Sequence, residues 1–229
     1  MKAGIFLTGT DTDCGKTFVA CEVLRAARAR GLSAAGFKPV AAGASDCGGK
    51  LRNDDALALV EASGPDECPY ELVNPYCLPA PVSPHLAAAE VGLSIDVAPI
   101  LRSFERLASD RDVVVVEGAG GWRVPLAPGL DIEALALTLG LPVVLVVGMR
   151  LGCLNHAQIS EEAILNSGAR LIGWIATQVD PAMSLPAENL LTLDRRLATP
   201  CLGYLPNPAM PGEVPPSRPL DLPALFDIL

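Results

Sequence analysis

Four consecutive valines, Val113-Val114-Val115-Val116, are the segment of this sequence hardest to accommodate. A run that is apolar at every position has no side to turn to water. It needs cover on both faces, as a central strand of a parallel sheet has. Leu141–Val147 and Leu171–Ala176 repeat the pattern, and Ala3–Thr8, Ser33–Phe37 and Cys201–Leu205 read as further strands. Between them the hydrophobic period changes. In Lys16–Arg30, Ala20, Val23, Leu24 and Ala27 mark one helical face; Arg25, Arg28 and Arg30 suit the C-terminal end of the dipole, and Gly31 stops the run. Asn53–Ala62 (with Asn53 as N-cap), Ile95–Leu107, Leu154–Asn166 and Ala187–Leu197 read as helices too. Gly64–Pro84 is a proline-rich ordered excursion, and Pro206–Pro219, with six prolines, an irregular loop before a short C-terminal helix. Strands alternating with helices, without an internal repeat, predict an α/β fold: a doubly wound, mostly parallel sheet with helices on both faces.

Composition narrows the partners. Of 229 residues, 17 are Lys or Arg and 26 are Asp or Glu, giving a formal charge of −9. That balance argues against a broad phosphate-backbone or anionic-membrane surface, so neither a nucleic acid nor a membrane is an expected partner. A local basic pocket for a small anion stays open. The apolar runs are far shorter than the roughly 20 residues of a membrane-spanning helix. Thr8, Gly9 and Asp11 interrupt the opening Met1–Leu7 too early for signal-peptide anatomy. Seven scattered cysteines, with no C-x-x-C pair, read as reduced thiols of a cytoplasmic chain.

Gly9-Thr10-Asp11-Thr12-Asp13-Cys14-Gly15-Lys16-Thr17 joins the first strand to the first helix. Small residues and glycine there let successive backbone N–H groups turn inward on phosphate oxygens at the positive end of a helix. Lys16 would neutralise the β- and γ-phosphates, and the Thr17 hydroxyl would ligate Mg2+. The strict pattern wants glycine five residues before Gly15; Thr10 stands there, with Gly9 one place earlier. Strand, loop, Gly-Lys-Thr and helix still follow in the required order. Residues 1–229 are therefore expected to form a single P-loop NTPase-type α/β domain.

Ligands of open parallel sheets gather at the carboxyl ends of the strands. Glu117 closes the valine run at such an end, directly before Gly118-Ala119-Gly120-Gly121, and a carboxylate there is costly without a cation to meet it. Its exchange for glutamine is expected to weaken metal binding and leave the ligand-free fold nearly as stable. Asp54 and Asp55 open the helix after the second strand. Acids there also suit the dipole, and which of the two faces a site stays open. Lys38, before Pro39, is a cation at another carboxyl edge. Alone it reads as solvated; beside a phosphate loop it is a candidate for stabilising a transferring phosphoryl group.

Taken in order, the phosphate loop, Lys38-Pro39-Val40, Leu51-Arg52-Asn53-Asp54-Asp55-Ala56, Asn74-Pro75-Tyr76, Ser83-Pro84-His85, Glu117-Gly118-Ala119-Gly120-Gly121-Trp122 and Leu151-Gly152-Cys153-Leu154-Asn155-His156-Ala157 resemble the dethiobiotin synthetase family over about residues 5–205. The resemblance implies an ATP- and Mg2+-dependent cyclo-ligase of biotin biosynthesis. Its substrates would be 7,8-diaminopelargonic acid and CO2, supplied as bicarbonate, and the ureido ring would close through a carbamate and a carbamic-phosphoric anhydride. It implies catalytic roles for Thr12, Lys16 and Lys38, and a metal shell of Thr17, Asp55 and Glu117. Nucleotide contacts would come from Asp13, Cys14, Gly15, Lys16, Thr17, Phe18, Asp55, Glu117, Gly118, Ala119, Gly120, Thr177, Gln178 and the loop Pro206-Asn207-Pro208. Substrate contacts would come from Thr12, Lys38, Ala42, Glu117, Gly152, Cys153, Leu154 and Asn155, with the last four supplied by the neighbouring subunit of a homodimer.

Two positions depart from that family's pattern. Ala42 stands where the family often has serine, so one hydrogen bond to substrate is either missing or supplied by another group. Thr177-Gln178 replaces an Asn-Asp-like pair that reads the adenine edge, leaving the base preference open, although Gln178 still donates and accepts. The substrate's carboxylate must rest away from its reacting amines, and no Lys or Arg lies in Gly152–Asn155. The unpaired first N–H groups of the helix starting there would hold it, with Asn155 adding a side-chain donor. The alternative of a different class is a P-loop ATPase switch of the partition or positioning type. Such loops carry a lysine five residues before the phosphate lysine, where this chain has Asp11.

Overall fold

The computed structural model describes residues 4–64, 68–206 and 218–226. The chain opens with β1 (Gly4–Gly9), α1 (Lys16–Ala29) and β2 (Ala34–Phe37), followed by the short strands β3 (Val40–Ala42), β4 (Ser45–Asp46) and β5 (Leu51–Arg52). Next come α2 (Asp54–Ser63), α3 (Tyr70–Val73), β6 (Tyr76–Leu78), α4 (Pro84–Glu90) and α5 (Val97–Ser109). β7 (Val113–Gly121), β8 (Pro125–Ala127), β9 (Leu130–Asp131), α6 (Ile132–Leu139), β10 (Val143–Met149) and α7 (Cys153–Asn166) lead to β11 (Leu171–Gln178), α8 (Pro186–Arg196), β12 (Cys201–Leu205) and α9 (Leu222–Phe226).

Six strands form one sheet in the order β12-β11-β10-β1-β7-β2, and every pairing is parallel. This is the doubly wound arrangement the valine runs call for. Every residue of β1 and β10 is buried, as are Val113–Val116 of β7, which requires cover on both faces. α1 packs on β2 and β7, α5 and α6 on β7, and α7 on β10 and β11. The order also fixes where a ligand goes. The chain leaves β1 toward β2 on one side and later fills the other with β10, so the carboxyl ends of β1 and its neighbours open into a crevice at the switch point. The loop after β1 is pinned over that crevice. The Thr10 amide donates to the Val146 carbonyl at 3.0 Å. At Gly148 a Cβ would lie 2.9 Å from the Cα of Cys14, so loop and strand meet backbone to backbone.

The strands and helices read from the sequence form, with displaced ends, and Asn53 caps α2 by accepting from the Ala56 amide at 3.3 Å. β7 runs past Glu117 to Gly121, because after a register shift Gly121 still pairs with Gly9 of β1. The excursion after α2 holds α3 and β6, the latter parallel to β3. α6 is an element beyond those the hydrophobic pattern predicts, and its signals are local: Asp131 accepts from the Ala134 amide at 2.8 Å, and Gly140, at φ 67°, ends the helix. Of the proline-rich stretch, Pro206 directly follows β12, while Asn207 and Pro208 lie outside the described residues. Among the described residues no helix is long and apolar enough to cross a membrane.

Candidate active site

The phosphate loop has the backbone its composition suggests. Gly15, at φ 88°, precedes α1 and offers no side chain to cap it, so the first amides of α1 keep room for an anion at the positive end of the helix. Glycine is required there twice over, since a Cβ would also sit 2.6 Å from the Thr177 hydroxyl. The Lys16 ammonium folds onto the Asp11 carbonyl at 2.8 Å, with Cys14 Sγ 3.7 Å away. Asp11 in turn accepts from Arg150 Nη2 at 2.8 Å, and the same Arg150 nitrogen donates to the Thr12 carbonyl at 3.2 Å. Arg150 carries no motif of its own, and sequence reading passed over it.

The carboxyl edge of β2 and the start of α1 then converge on one carboxylate of β7. Glu117 is 1% exposed, and its Oε1 accepts from Lys38 Nζ at 2.5 Å and from the Thr17 hydroxyl at 2.9 Å. Lys38, equally buried, also donates to Asp55 Oδ2 at 2.9 Å. Burial alone would push the Lys38 ammonium below its ordinary range. The facing carboxylates of Glu117 and Asp55 outweigh that, and the group is held above it. Burial likewise opposes the charge on Asp55, yet Lys38 first, then Thr17 and Lys16, hold its carboxyl below the usual range. Of the acidic pair at the start of α2, Asp55 therefore faces the site and Asp54 stands exposed.

Two cavities meet on this cluster. One, of about 350 Å³, is walled by the loop (Thr12, Asp13, Gly15, Lys16, Thr17 and Phe18), by Glu117, and by Thr177, Gln178 and Val179 at the end of β11. The other, of about 420 Å³, is walled by Val40–Ala42, Asn53, Pro81–Pro84, Ala119 and Val124. Thr12, Lys38, Asp55 and Gly120 belong to both. The arrangement suits a nucleotide in the first cavity with its terminal phosphate turned to a second, smaller molecule. Glu117 Oε2 is buried without a partner, and with Thr17 and Asp55 beside it this oxygen fits a hard divalent cation. No cluster of three or more His, Cys, Asp or Glu groups suited to a metal forms among the described residues. Such a cation would thus complete its shell with phosphate oxygens and water, as Mg2+ commonly does.

Residues 3–210 match the AAA domain family AAA_26. Over 204 residues the chain is 55% identical to the ATP-dependent dethiobiotin synthetase BioD of Aromatoleum aromaticum, covering 89% of this chain and 90% of that protein. Over 205 residues it is 50% identical to the protein of the same name from Xylella fastidiosa, covering 90% of each. The chain belongs to the ATP-dependent dethiobiotin synthetase family. Solved structures share its fold at low identity. The cell division protein FtsY of Thermotoga maritima superposes with a TM-score of 0.52 at 17% identity, covering 100% of this chain and 68% of that one. The septum site-determining protein MinD of Pyrococcus horikoshii gives 0.52 at 14%, covering 90% and 82%.

Within this dethiobiotin synthetase family member, the remaining expected site residues divide into three groups. Ala42 and Ala119 line the second cavity. Cys14 and Gly118 line neither: Cys14 is fully buried and gives its carbonyl to Thr177, while a Cβ on Gly118 would press on Phe6 at 3.2 Å. Gly152, Cys153, Leu154 and Asn155 start α7 and line neither cavity of their own chain. The expected row of unpaired amides at that helix start needs correction. The Cys153 amide donates to the Arg150 carbonyl at 3.0 Å and the Asn155 amide to the Gly152 carbonyl at 3.1 Å, because the turn closes tightly on Gly152 at φ 98°. The Asn155 side chain is the donor left there without a partner among the described residues, since the Leu154 amide turns onto the Cys153 thiol. Sequence reading missed Asn53, Pro81, Val82 and Val124 as walls, since only the fold brings these loops over β7.

Proposed function

We propose that this protein is the enzyme that carboxylates 7,8-diaminopelargonic acid to dethiobiotin with ATP, Mg2+ and CO2. The observation that carries the reading is the junction of a nucleotide-sized cavity with a second chamber at Thr12, Lys38, Asp55 and Gly120. In the proposed reaction one amine of the diamine attacks CO2 and loses a proton, forming a carbamate. A carbamate oxygen then attacks the γ-phosphorus in line, the bond to the ADP oxygen breaks, and a carbamic-phosphoric anhydride results. The second amine attacks the carbonyl carbon, phosphate departs with its C–O bond, a second proton leaves, and the cyclic urea closes. Lys16 swings from the Asp11 carbonyl to the transferring phosphoryl group, Lys38 meets carbamate and phosphoryl oxygens at the junction, and Thr12 borders the carbamate. Bound Mg2+ would neutralise charge on the β- and γ-phosphates, held by Thr17, Asp55 and Glu117. The work is positioning and electrostatics, with no covalent enzyme nucleophile.

Among the described residues, the walls of the second chamber offer no Lys or Arg besides Lys38. The substrate's carboxylate is therefore assigned to the α7 start of a second subunit in a homodimer, and the seven free thiols suit a cytoplasmic enzyme. The switch reading loses ground at Asp11, whose carboxylate is engaged by Arg150 of its own chain. The test is to supply diaminopelargonate, bicarbonate, Mg2+ and ATP and to follow dethiobiotin by mass with ADP and phosphate. Equimolar formation of the three supports the ligase. ATP hydrolysis indifferent to the diamine would overturn it in favour of a switch.

A further inference from the structure

Lys38 and Asp55 meet at 2.9 Å, yet they arrive on separate elements, after β2 and in the first turn of α2. The spacing is fixed by α3 and the residue that follows it. The Lys38 amide donates to the Val73 carbonyl at 2.8 Å, and the Lys38 carbonyl accepts from Asn74 Nδ2 at 2.7 Å. On the other side the Tyr70 hydroxyl accepts the Asn53 amide at 2.8 Å and donates to Asn74 Oδ1 at 3.0 Å. Asn53 is the cap of α2, and its Nδ2 reaches the Ala42 carbonyl at 3.3 Å. Asn53, Tyr70 and Asn74 are all buried. Arg52 lies 4.0 Å over the Tyr70 ring and Cys77 Sγ 3.3 Å from its hydroxyl, which leaves the ring little freedom.

We propose that Tyr70 and Asn74 are positioning residues for the phosphoryl-transfer centre: the path Asn53–Tyr70–Asn74–Lys38 holds the α2 carboxylate and the Lys38 ammonium in register for metal, transferring phosphoryl group and carbamate. The proposal takes its substrates from the ligase reading above, but its geometry stands without it. Loss of the Tyr70 hydroxyl strands a buried amide at Asn53 and a buried acceptor at Asn74. Those groups regain partners only if the start of α2 moves, and Asp55 moves with it. The phosphate loop hangs instead on Val146 and Thr177, so nucleotide affinity is set elsewhere.

Tyr76 supplies the control. Its hydroxyl accepts from the Asp96 amide at 3.0 Å and donates to the Asp96 carbonyl at 3.2 Å, tying β6 to the start of α5. It is as buried as Tyr70. Tyr70→Phe, Asn74→Ala and Tyr76→Phe are compared in the full-length protein. The readouts are kcat, KM for ATP, Tm, and Mn2+ binding by electron paramagnetic resonance with a non-hydrolysable ATP analogue. Tyr70→Phe and Asn74→Ala are expected to lower kcat by roughly 10- to 100-fold, as misplaced reacting groups do, and to weaken Mn2+ binding, with KM for ATP within about twofold. Tyr76→Phe is expected to lower Tm comparably and to leave kcat and Mn2+ binding as in the wild type. The proposal is overturned if kcat and Mn2+ binding stay unchanged in Tyr70→Phe and Asn74→Ala, or if all three variants lose them in proportion to Tm. Should Tyr70→Phe fail to fold, Asn74→Ala decides by the same criteria. If the wild type makes no dethiobiotin, the ligase reading fails by itself, and Mn2+ binding across the three variants still decides the positioning role.

Discussion

Thr177 gives its hydroxyl to the Cys14 carbonyl at 2.7 Å, tying the end of β11 to a loop 163 residues earlier in the chain. The residue at the expected base-reading position is thereby spent on the phosphate loop, where it also closes against Gly15. Gln178 beside it is buried, with Oε1 unpartnered. Thr177→Val keeps the shape and removes the bond. A lost hydrogen bond of about 1 kcal/mol predicts a KM for ATP raised roughly fivefold, with kcat little changed. An unchanged KM would mean that the bond does not hold the loop in its nucleotide-binding form.

With Thr177 so engaged, Gln178 is the member of the pair with a side chain left to meet a base, and we propose that it reads the base as a single amide. ATP is expected to be used, but with less discrimination against the other triphosphates than two fixed reading groups would give. Comparing kcat/KM across the four nucleotides checks this, and Gln178→Ala should flatten what preference exists. Strict exclusion of all but ATP, retained in Gln178→Ala, would assign the reading to groups outside Thr177-Gln178.

Lys16→Ala removes the loop's own fixed cation. Turnover is expected to fall on the order of 100-fold or more, because stabilisation of the transferring phosphoryl group is lost. The fold should survive, since alanine is a strong helix former at the start of α1. Near-normal turnover in a folded variant would sink the P-loop assignment.

The Lys38–Glu117 pair changes what Glu117→Gln is expected to do. From sequence alone the exchange looks neutral for the ligand-free fold. In the structure it leaves a buried ammonium with one charged partner fewer, and a cost of about 2 kcal/mol follows. Denaturant unfolding without ligand measures it directly. Asp55 adds a pH signature. Its folded-state pKa lies below 3.8, so its contribution is complete above about pH 4 and is lost as pH falls through the depressed value. Lys38, held above 10.5, contributes fully below that pH and loses its share as pH rises further. Between about pH 4 and 10 the pair is therefore flat. Melting curves from pH 7 to 2 should fall less steeply in Asp55→Asn than in the wild type, and equal slopes would remove Asp55 from the ion pair.

The division between what the sequence discloses and what it hides follows the range of the interactions. Val113–Val116 announces a central strand because burial on both faces is written in one local run, and Gly15-Lys16-Thr17 announces an anion site because the loop is contiguous. Asn53 is legible as a cap for the same reason. Glu117 could be suspected, but its partner Lys38 lies 79 residues away, and only the sheet order brings the two carboxyl edges together. Arg150, joined to Asp11 across 139 residues, and Tyr70, buried in a segment without periodicity, carry no local signal at all. α6 is a different case: its Asp131 cap and Gly140 stop are both local signals.

The α7 start permits the sharpest test of the proposed dimer. Asn155 stands in the first turn of α7, where an acidic residue favours the helix, so Asn155→Asp should fold at least as stably as the wild type. The same charge repels a substrate carboxylate. KM for diaminopelargonate should rise tenfold or so while that for ATP stays put, since the P-loop cavity does not include this residue. If the helix end serves the neighbouring subunit's site, Asn155→Asp and Lys16→Ala carry complementary defects. In a mixed dimer one site collects both substitutions, and the other has an intact phosphate loop from one chain and an intact helix end from its partner. Equal mixing with free exchange makes half the dimers mixed. Activity at low diaminopelargonate should then recover to about one quarter of the wild-type value, well above the mean of the parents. A site built within one chain leaves every chain of the mixture defective, and the mixture would show no more than that mean. Mixed-dimer activity at the parental mean, or full activity from a demonstrated monomer, would exclude the shared carboxylate site.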